Sequence, residues 1–199
     1  MLAADDLLDF WLGPLDEEGL ADAAHSARWW QKDPDFDEML RQQFAVAHAQ
    51  GVAGRLAGWT STPRGRVALV VLLDQFSRNM FRGRPGMFAA DAQASELALA
   101  GIDAGEDRAL MTDERVFLYL PLMHSETLSL QDRCVALFGE LLSRAKGRAR
   151  ERLDGNLKFA VAHRDIVARF GRFPHRNAIL GRSSTPEEIE FLRRPGSSF

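Results

Sequence analysis

An all-α fold is what this sequence predicts, on three observations. Apolar residues recur at helical spacing nearly from end to end, no run of β-branched residues alternates with polar ones for long enough to make a strand, and helix-starting and helix-stopping signals recur along the chain. The expected architecture is a single domain over residues 1–199, a helical bundle or array of about eight helices without significant sheet. A chain of 199 residues suffices for one sizeable core and is short for two.

Leu7, Leu8, Trp11 and Leu12 make a first short helix that stops at Gly13-Pro14. Residues 15–32, which hold Trp29 and Trp30, show no periodicity and read as an irregular segment. Asp33 as cap and Pro34 at the first helical position open a second helix with Phe36, Met39, Leu40, Phe44 and Ala47 on one face, ended by Gly51 and Gly54. Thr62-Pro63 repeats that start. The helix it opens is apolar on every side from Val67 to Leu73, the mark of a central buried helix. A turn over Phe81–Gly86 leads to an Ala-rich helix over residues 88–101, and Thr112 opens a fifth helix whose Val116–Met123 stretch is again apolar all round. Pro121 should kink or end it, because proline lacks the N–H and clashes with the preceding turn. Ser129 with Asp132 reads as a capping box starting a sixth helix, a seventh runs from about Ala149 to Phe170 and closes at Gly171, and Thr185-Pro186-Glu187-Glu188 starts the last.

With 46% hydrophobic and 27% charged residues the composition is that of an ordinary globular protein. The longest apolar run, Val67–Leu73, is far too short to span a bilayer, and Asp5 and Asp6 stand where an export signal would need positive charge, so a cytoplasmic location without a membrane partner is expected. The single cysteine, Cys134, excludes an internal disulfide; it shares a helical face with Leu130, Leu137, Phe138 and Leu141, as a core thiol would. Charge is uneven: eleven lysines and arginines against three acidic residues between Arg144 and Arg182, four against eleven in residues 1–62. A basic segment of this kind is one signature of nucleic-acid binding, but the net charge of −3 argues against a polyanion partner and for the two parts facing each other in the fold.

Asp74 follows Val70 and Val71 by four and three residues and so shares their apolar face, where a carboxylate is expensive unless paired. Arg78, one turn on, is placed to pair with it, and Gln75 and Asn79 form a second polar row. Two readings are open: a buried pair that fixes packing, or part of a functional site. His124, Ser125 and Glu126 follow the second all-apolar helix, with His124 in line with Phe117, Leu120 and Pro121. Ser125 is a poor nucleophile for this tripeptide because helical neighbours point about 100° apart. His124 with an acid from elsewhere, Asp74 or Glu126, is the better acid–base candidate. His163 lies on the core face between Phe159 and Ile166; such a histidine is more often a core residue with one hydrogen bond, yet it joins Asp74, His124 and Glu126 as a catalytic candidate. His124, His163, His175 and Glu126 lack the spacing of a zinc helix motif, so neither a metal nor another cofactor is expected.

Arg169 to Asn177, followed by Gly181 to Thr185, places four arginines, a histidine and an asparagine around a helix stop and a helix start, where free N–H groups favour anions. Arginine forks onto phosphate or carboxylate with two hydrogen bonds. Alternatively these arginines cap helix ends and pair with the acidic N-terminal part. The candidate ligand-binding set is Arg78, Asn79, Arg82, Arg172, His175, Arg176, Asn177 and Arg182.

Three motifs, Asp74-Gln75-Phe76-Ser77-Arg78-Asn79-Met80-Phe81-Arg82, Tyr119-Leu120-Pro121-Leu122-Met123-His124-Ser125-Glu126 and Gly171-Arg172-Phe173-Pro174-His175-Arg176-Asn177, in this order resemble the bacterial family of domain of unknown function nine hundred and twenty-four, over nearly the whole chain. The resemblance implies an all-α fold similar to tetratricopeptide-repeat proteins and no particular activity. Two functions then compete, and whether the chain is an enzyme is left open between them. One is binding of a small anionic ligand in a polar, partly buried pocket, which predicts a concave site lined by these residues. The other is a helical module that docks a peptide or protein, with the polar cluster structural, which predicts an extended exposed groove. Far-ultraviolet circular dichroism should report roughly half of the residues or more as helical, and a dominant β signal would contradict the fold class.

Overall fold

The computed structural model describes residues 2–198, and 72% of it is helical. In chain order the helices are α1 (Ala4–Leu12), α2 (Ala23–Trp29), α3 (Pro34–Val52), α4 (Pro63–Met80), α5 (Asp91–Asp103), α6 (Thr112–Met123), α7 (Leu128–Arg144), α8 (Gly147–Phe170) and α9 (Pro186–Leu192), with short 3₁₀ turns between several of them. Among the described residues there is no strand, and a lone antiparallel bridge joins Leu15 to Ala21. No helix is long and apolar enough to cross a membrane.

Helix α4 is apolar all round because it has neighbours all round: α1, α3, α5 and α6 pack against it, and every residue from Val67 to Ser77 is buried. Its start is set by Thr62, whose hydroxyl accepts the Gly65 N–H at 3.1 Å, with Pro63 in the first turn where no N–H is missed. Helix α6 is the second buried rod, touching α4, α5, α7 and α8. Pro121 lies near its end, and the helix stops two residues later. The carbonyls left open there are taken up by side chains: Ser95 Oγ donates to Pro121 O at 3.1 Å, and Gln131 Nε2 donates to Met123 O and Ser125 O, each at 2.6 Å. The C-terminus of α6 is thereby held at a fixed depth, with His124 immediately beyond it. Helices α7 and α8 form a long hairpin against α6, and α8 ends at Gly171, whose φ of 68° is the left-handed conformation that closes a helix. Beyond it, Phe173 joins Ile166 and Val167 in a small second core, with Phe170 and Phe191 packed against it.

Three details depart from the sequence reading. Residues 15–32 are not wholly irregular, since α2 lies within them; Asp22 caps it by accepting the His25 N–H at 2.8 Å. Its one buried residue, Trp29, stacks on Trp11, meets Phe117 edge to face and donates its indole N–H to Trp11 O at 3.0 Å, so the helix is held by a single anchor and shows no apolar period. Helix α7 begins at Leu128, not at a Ser129 cap: the N–H groups of Leu130 and Gln131 already bond to Thr127 O. Helix α8 begins two residues before Ala149, because a distant side chain serves its N-terminus, Glu18 Oε2 accepting the Ala149 N–H at 2.8 Å. The acidic and basic parts do meet, Arg148 pairing with Asp16, but most of the basic segment pairs closer to home.

Leu73 is fully buried at the centre of α4. Leu73→Ala should cost about 2–5 kcal/mol in urea unfolding. Cys134, buried and with its thiol pushed up by that burial, should react with a disulfide reagent only on unfolding.

Candidate functional site

The site is built around Asp74, which α4 holds in the interior with no exposure at all. Helical spacing sets Arg78 one turn on, and its Nη1 stands 3.0 Å from Asp74 Oδ1. The C-cap of α6 brings His124, whose Nδ1 lies 2.9 and 3.0 Å from the two carboxylate oxygens. Gln75 Nε2 donates to the same carboxylate. Burial opposes ionisation of Asp74, but the charges of Arg78 and His124 and these hydrogen bonds outweigh it and hold the carboxyl at about 2. An ionised carboxylate only accepts, so the proton of a neutral His124 sits on Nδ1. Among the described residues nothing hydrogen-bonds His124 Nε2, and the side chain as a whole is 15% exposed. Burial and the nearby Arg78 lower the His124 pKa, overriding Asp74, so the ring is neutral at pH 7.

A second carboxylate, Asp91 in the first turn of α5, closes the cluster. Arg78 forks onto it, Nη1 to Oδ1 at 2.9 Å and Nη2 to Oδ2 at 3.2 Å. Arg176, on the 3₁₀ turn Pro174–Arg176, donates Nη1 to Asp91 Oδ2 at 3.0 Å and Nη2 to the His124 carbonyl at 2.8 Å. The Arg176 guanidinium lies between the rings of Phe88 and Phe173, at 4.4 and 4.6 Å from their centres, and its buried Nε has no acceptor among the described residues. His163 approaches from α8, its ring centre 6.3 Å from that of His124, with Nδ1 donating to Phe159 O at 2.8 Å. His175 lies against Phe173, ring centres 5.5 Å apart. Burial, helped by neighbouring positive groups, lowers His163 to about 3 and His175 to about 4.

The structure thus brings together Asp74, Arg78, His124, His163, His175 and Arg176. It sets the other candidates apart. Glu126 is engaged by Arg182, at 2.6 and 2.9 Å, and by the Phe173 N–H at 2.8 Å; burial resists its ionisation and these donors prevail. Asn177 and Arg172 converge on Glu188, a buried carboxylate held at about 2 chiefly by the Arg172 fork. Asn79 and Arg82 point to Asp37 of α3, at 2.9 and 2.6 Å. Two open grooves of about 510 and 450 Å³ mark the surface, and none of these candidates lines either of them. Asp91, Asp37 and Phe88 were missed. Asp37 was legible, since it shares the buried face of Leu40, Phe44 and His48. Asp91 gave only the ordinary signal of an acid in a helix's first turn.

The sequence model of a family described as bacterial protein of unknown function (DUF924) matches residues 7–196. The solved structure of a protein of unknown function from Agrobacterium tumefaciens is similar at 39% identity, with a TM-score of 0.77, over 95% of this chain and 96% of that one. No functionally curated protein matches.

Removing Arg78 alone strands Asp74, so Arg78→Leu should cost about 3–5 kcal/mol, and Asp74→Leu added to it should recover much of the loss. The histidines set a pH dependence. A folded-state pKa below the unfolded value of 6.5 means that the unfolded chain binds protons first. Stability should be full above pH 6.5 and fall as pH drops toward about 4 and 3, and His163→Gln should flatten the fall measured by urea unfolding.

Proposed function

Since the chain belongs to the bacterial family of unknown function DUF924, we propose its function from the site itself: it binds a small anionic ligand beside His124 and exchanges a proton with it through that imidazole. The observation that carries this reading is the Asp74–His124 pair. A buried carboxylate fixes Nδ1 as the donor and turns the other nitrogen, which has no hydrogen-bond partner among the described residues, into an oriented lone pair.

The roles follow from the contacts. Nε2 of His124 takes the ligand's proton, and Asp74 stabilises the imidazolium that forms. Arg78 is a positioning residue that keeps Asp74 ionised and the resting imidazole neutral, hence basic. The ligand's negative charge faces the Arg176 guanidinium, which lies beside the His124 carbonyl. Arg172 and Arg182, which are matched by Glu188 and Glu126, hold the C-terminal turn that carries Arg176 and do not receive the ligand.

A thermal-shift screen of phosphorylated and carboxylated metabolites tests this, since a ligand at 100 times its Kd stabilises by about 2.7 kcal/mol. Hits should lose their effect in His124→Gln, and on binding the Nε2 nitrogen resonance of His124 should move from its unprotonated toward its protonated position. Hits that stabilise His124→Gln as well as the parent would remove the proposal. Stabilisation by peptides alone would favour the helical docking module.

A further inference from the structure

Cations with no carboxylate partner are scarce among the partly buried arginines of this fold. Arg66 is forked onto Glu106, Arg78 onto Asp91, Arg82 onto Asp37, Arg172 onto Glu188 and Arg182 onto Glu126. Among the described residues two partly buried arginines lack a carboxylate partner: Arg28, which lies over the rings of Phe10 and Phe36, and Arg115, in the 450 Å³ groove between the 3₁₀ turn Glu106–Ala109, α6 and α7. Arg115 is pinned there by two neutral acceptors, Nε to Leu110 O at 3.0 Å and Nη2 to Arg108 O at 2.9 Å, so its orientation is fixed while no carboxylate of the described residues pairs with it. Arg108 beside it makes no side-chain hydrogen bond or ion pair among the described residues. The groove also holds two carboxylates, Glu140 paired with Arg144 at 2.7 Å and Asp107 bonded only by the neutral Tyr119 hydroxyl at 2.6 Å, so with Arg108 and Arg115 its lining carries one positive charge in excess.

Three apolar side chains share that lining with the charged ones. Ile102 is buried and Leu137 and Leu141 are half-buried, and the groove meets the larger one of 510 Å³ at Leu141 and Arg144, where the lining continues over Ala145, Ala149 and Leu153. Pinned positive charge beside half-buried leucines suits a molecule with a single anionic head and an apolar chain, and the volume is that of a small-ligand site. We propose that this groove binds an aliphatic monocarboxylate, its head on Arg115 and Arg108 and its chain along Leu137 and Leu141 toward the second groove. This site is separate from His124 and does not depend on its role.

Isothermal titration at pH 7 with butanoate, hexanoate and octanoate provides the test. Affinity should rise by about threefold to fourfold per added methylene. Inorganic phosphate, which lacks the chain, and octanol, which lacks the charge, should each bind at least tenfold more weakly than octanoate. Arg108→Glu should weaken octanoate at least tenfold with an unchanged melting temperature, since that side chain holds nothing in the fold, and the ring resonances of Tyr119, the only tyrosine, should shift on binding to the parent. His124→Gln should bind octanoate as the parent does. Affinity independent of chain length, phosphate as tight as octanoate, full affinity in Arg108→Glu, or loss in His124→Gln would each overturn the assignment.

Discussion

One carboxylate inside an apolar helix governs this architecture. Asp74 sits where α1, α3, α5 and α6 close around α4, and an unpaired ion at such a depth would be untenable. Its charge has to be answered, and each answer recruits the next element. Arg78 answers from the same helix but brings a second positive group into the interior; Asp91 of α5 meets it; Asp91 is shared with Arg176 on the C-terminal turn; Arg176 returns to the carbonyl of His124, whose ring rests on Asp74. The chain of alternating charge is a closed circuit through α4, α5, the C-terminal turn and the end of α6. Packing alone would leave the relative rotation of these elements loosely fixed. The circuit adds direction, because each guanidinium must present its fork to a particular carboxylate.

How far this was legible follows from where each residue lies relative to a helix. Asp74 and Arg78 are one turn apart on a face whose other residues are Val and Leu, so spacing alone paired them. His124 was legible for the same reason, as a polar residue in line with an apolar stripe. Asn79 and Arg82 were grouped with them by nearness in sequence, yet Asn79 lies about 140° around the helix from Asp74, given 100° per residue, and faces α3 instead. Arg82 lies past the end of α4, where the period no longer applies. The C-terminal arginines were read as a positive cluster because their acids are remote or later in the chain: Asp91, Glu126 and Glu188. No local pattern reveals that each cation will fold onto its own anion, since that is a property of the packed elements.

Full pairing changes what the polar cluster can do. A cluster with excess positive charge would draw anions from a distance, whereas one that is internally neutral draws nothing and acts only through atoms left out of the pairing. At the buried site these are His124 Nε2 and Arg176 Nε. In the groove between α6 and α7 the excess remains, because Arg115 is held by carbonyls and the Arg108 side chain by no hydrogen bond or ion pair among the described residues. The arginines of the C-terminal segment are therefore largely taken up by their own anions, whereas two in an unremarkable stretch of sequence are not.

The Asp74–His124 contact also carries opposed influences that bear on chemistry. Asp74 alone would raise the imidazole pKa and make a resting cation, a poor base. Burial and Arg78 lower it, so at rest the ring is neutral with its lone pair on Nε2. When a proton arrives, the ring becomes a cation directly against an ionised carboxylate, and Arg78 keeps its second carboxylate, Asp91, as counter-charge. The same circuit that closes the fold leaves the imidazole neutral before proton transfer and supported after it. A packing pair would need only the Asp74–Arg78 contact; the third partner, placed so that just one of its nitrogens is engaged, is what points beyond packing.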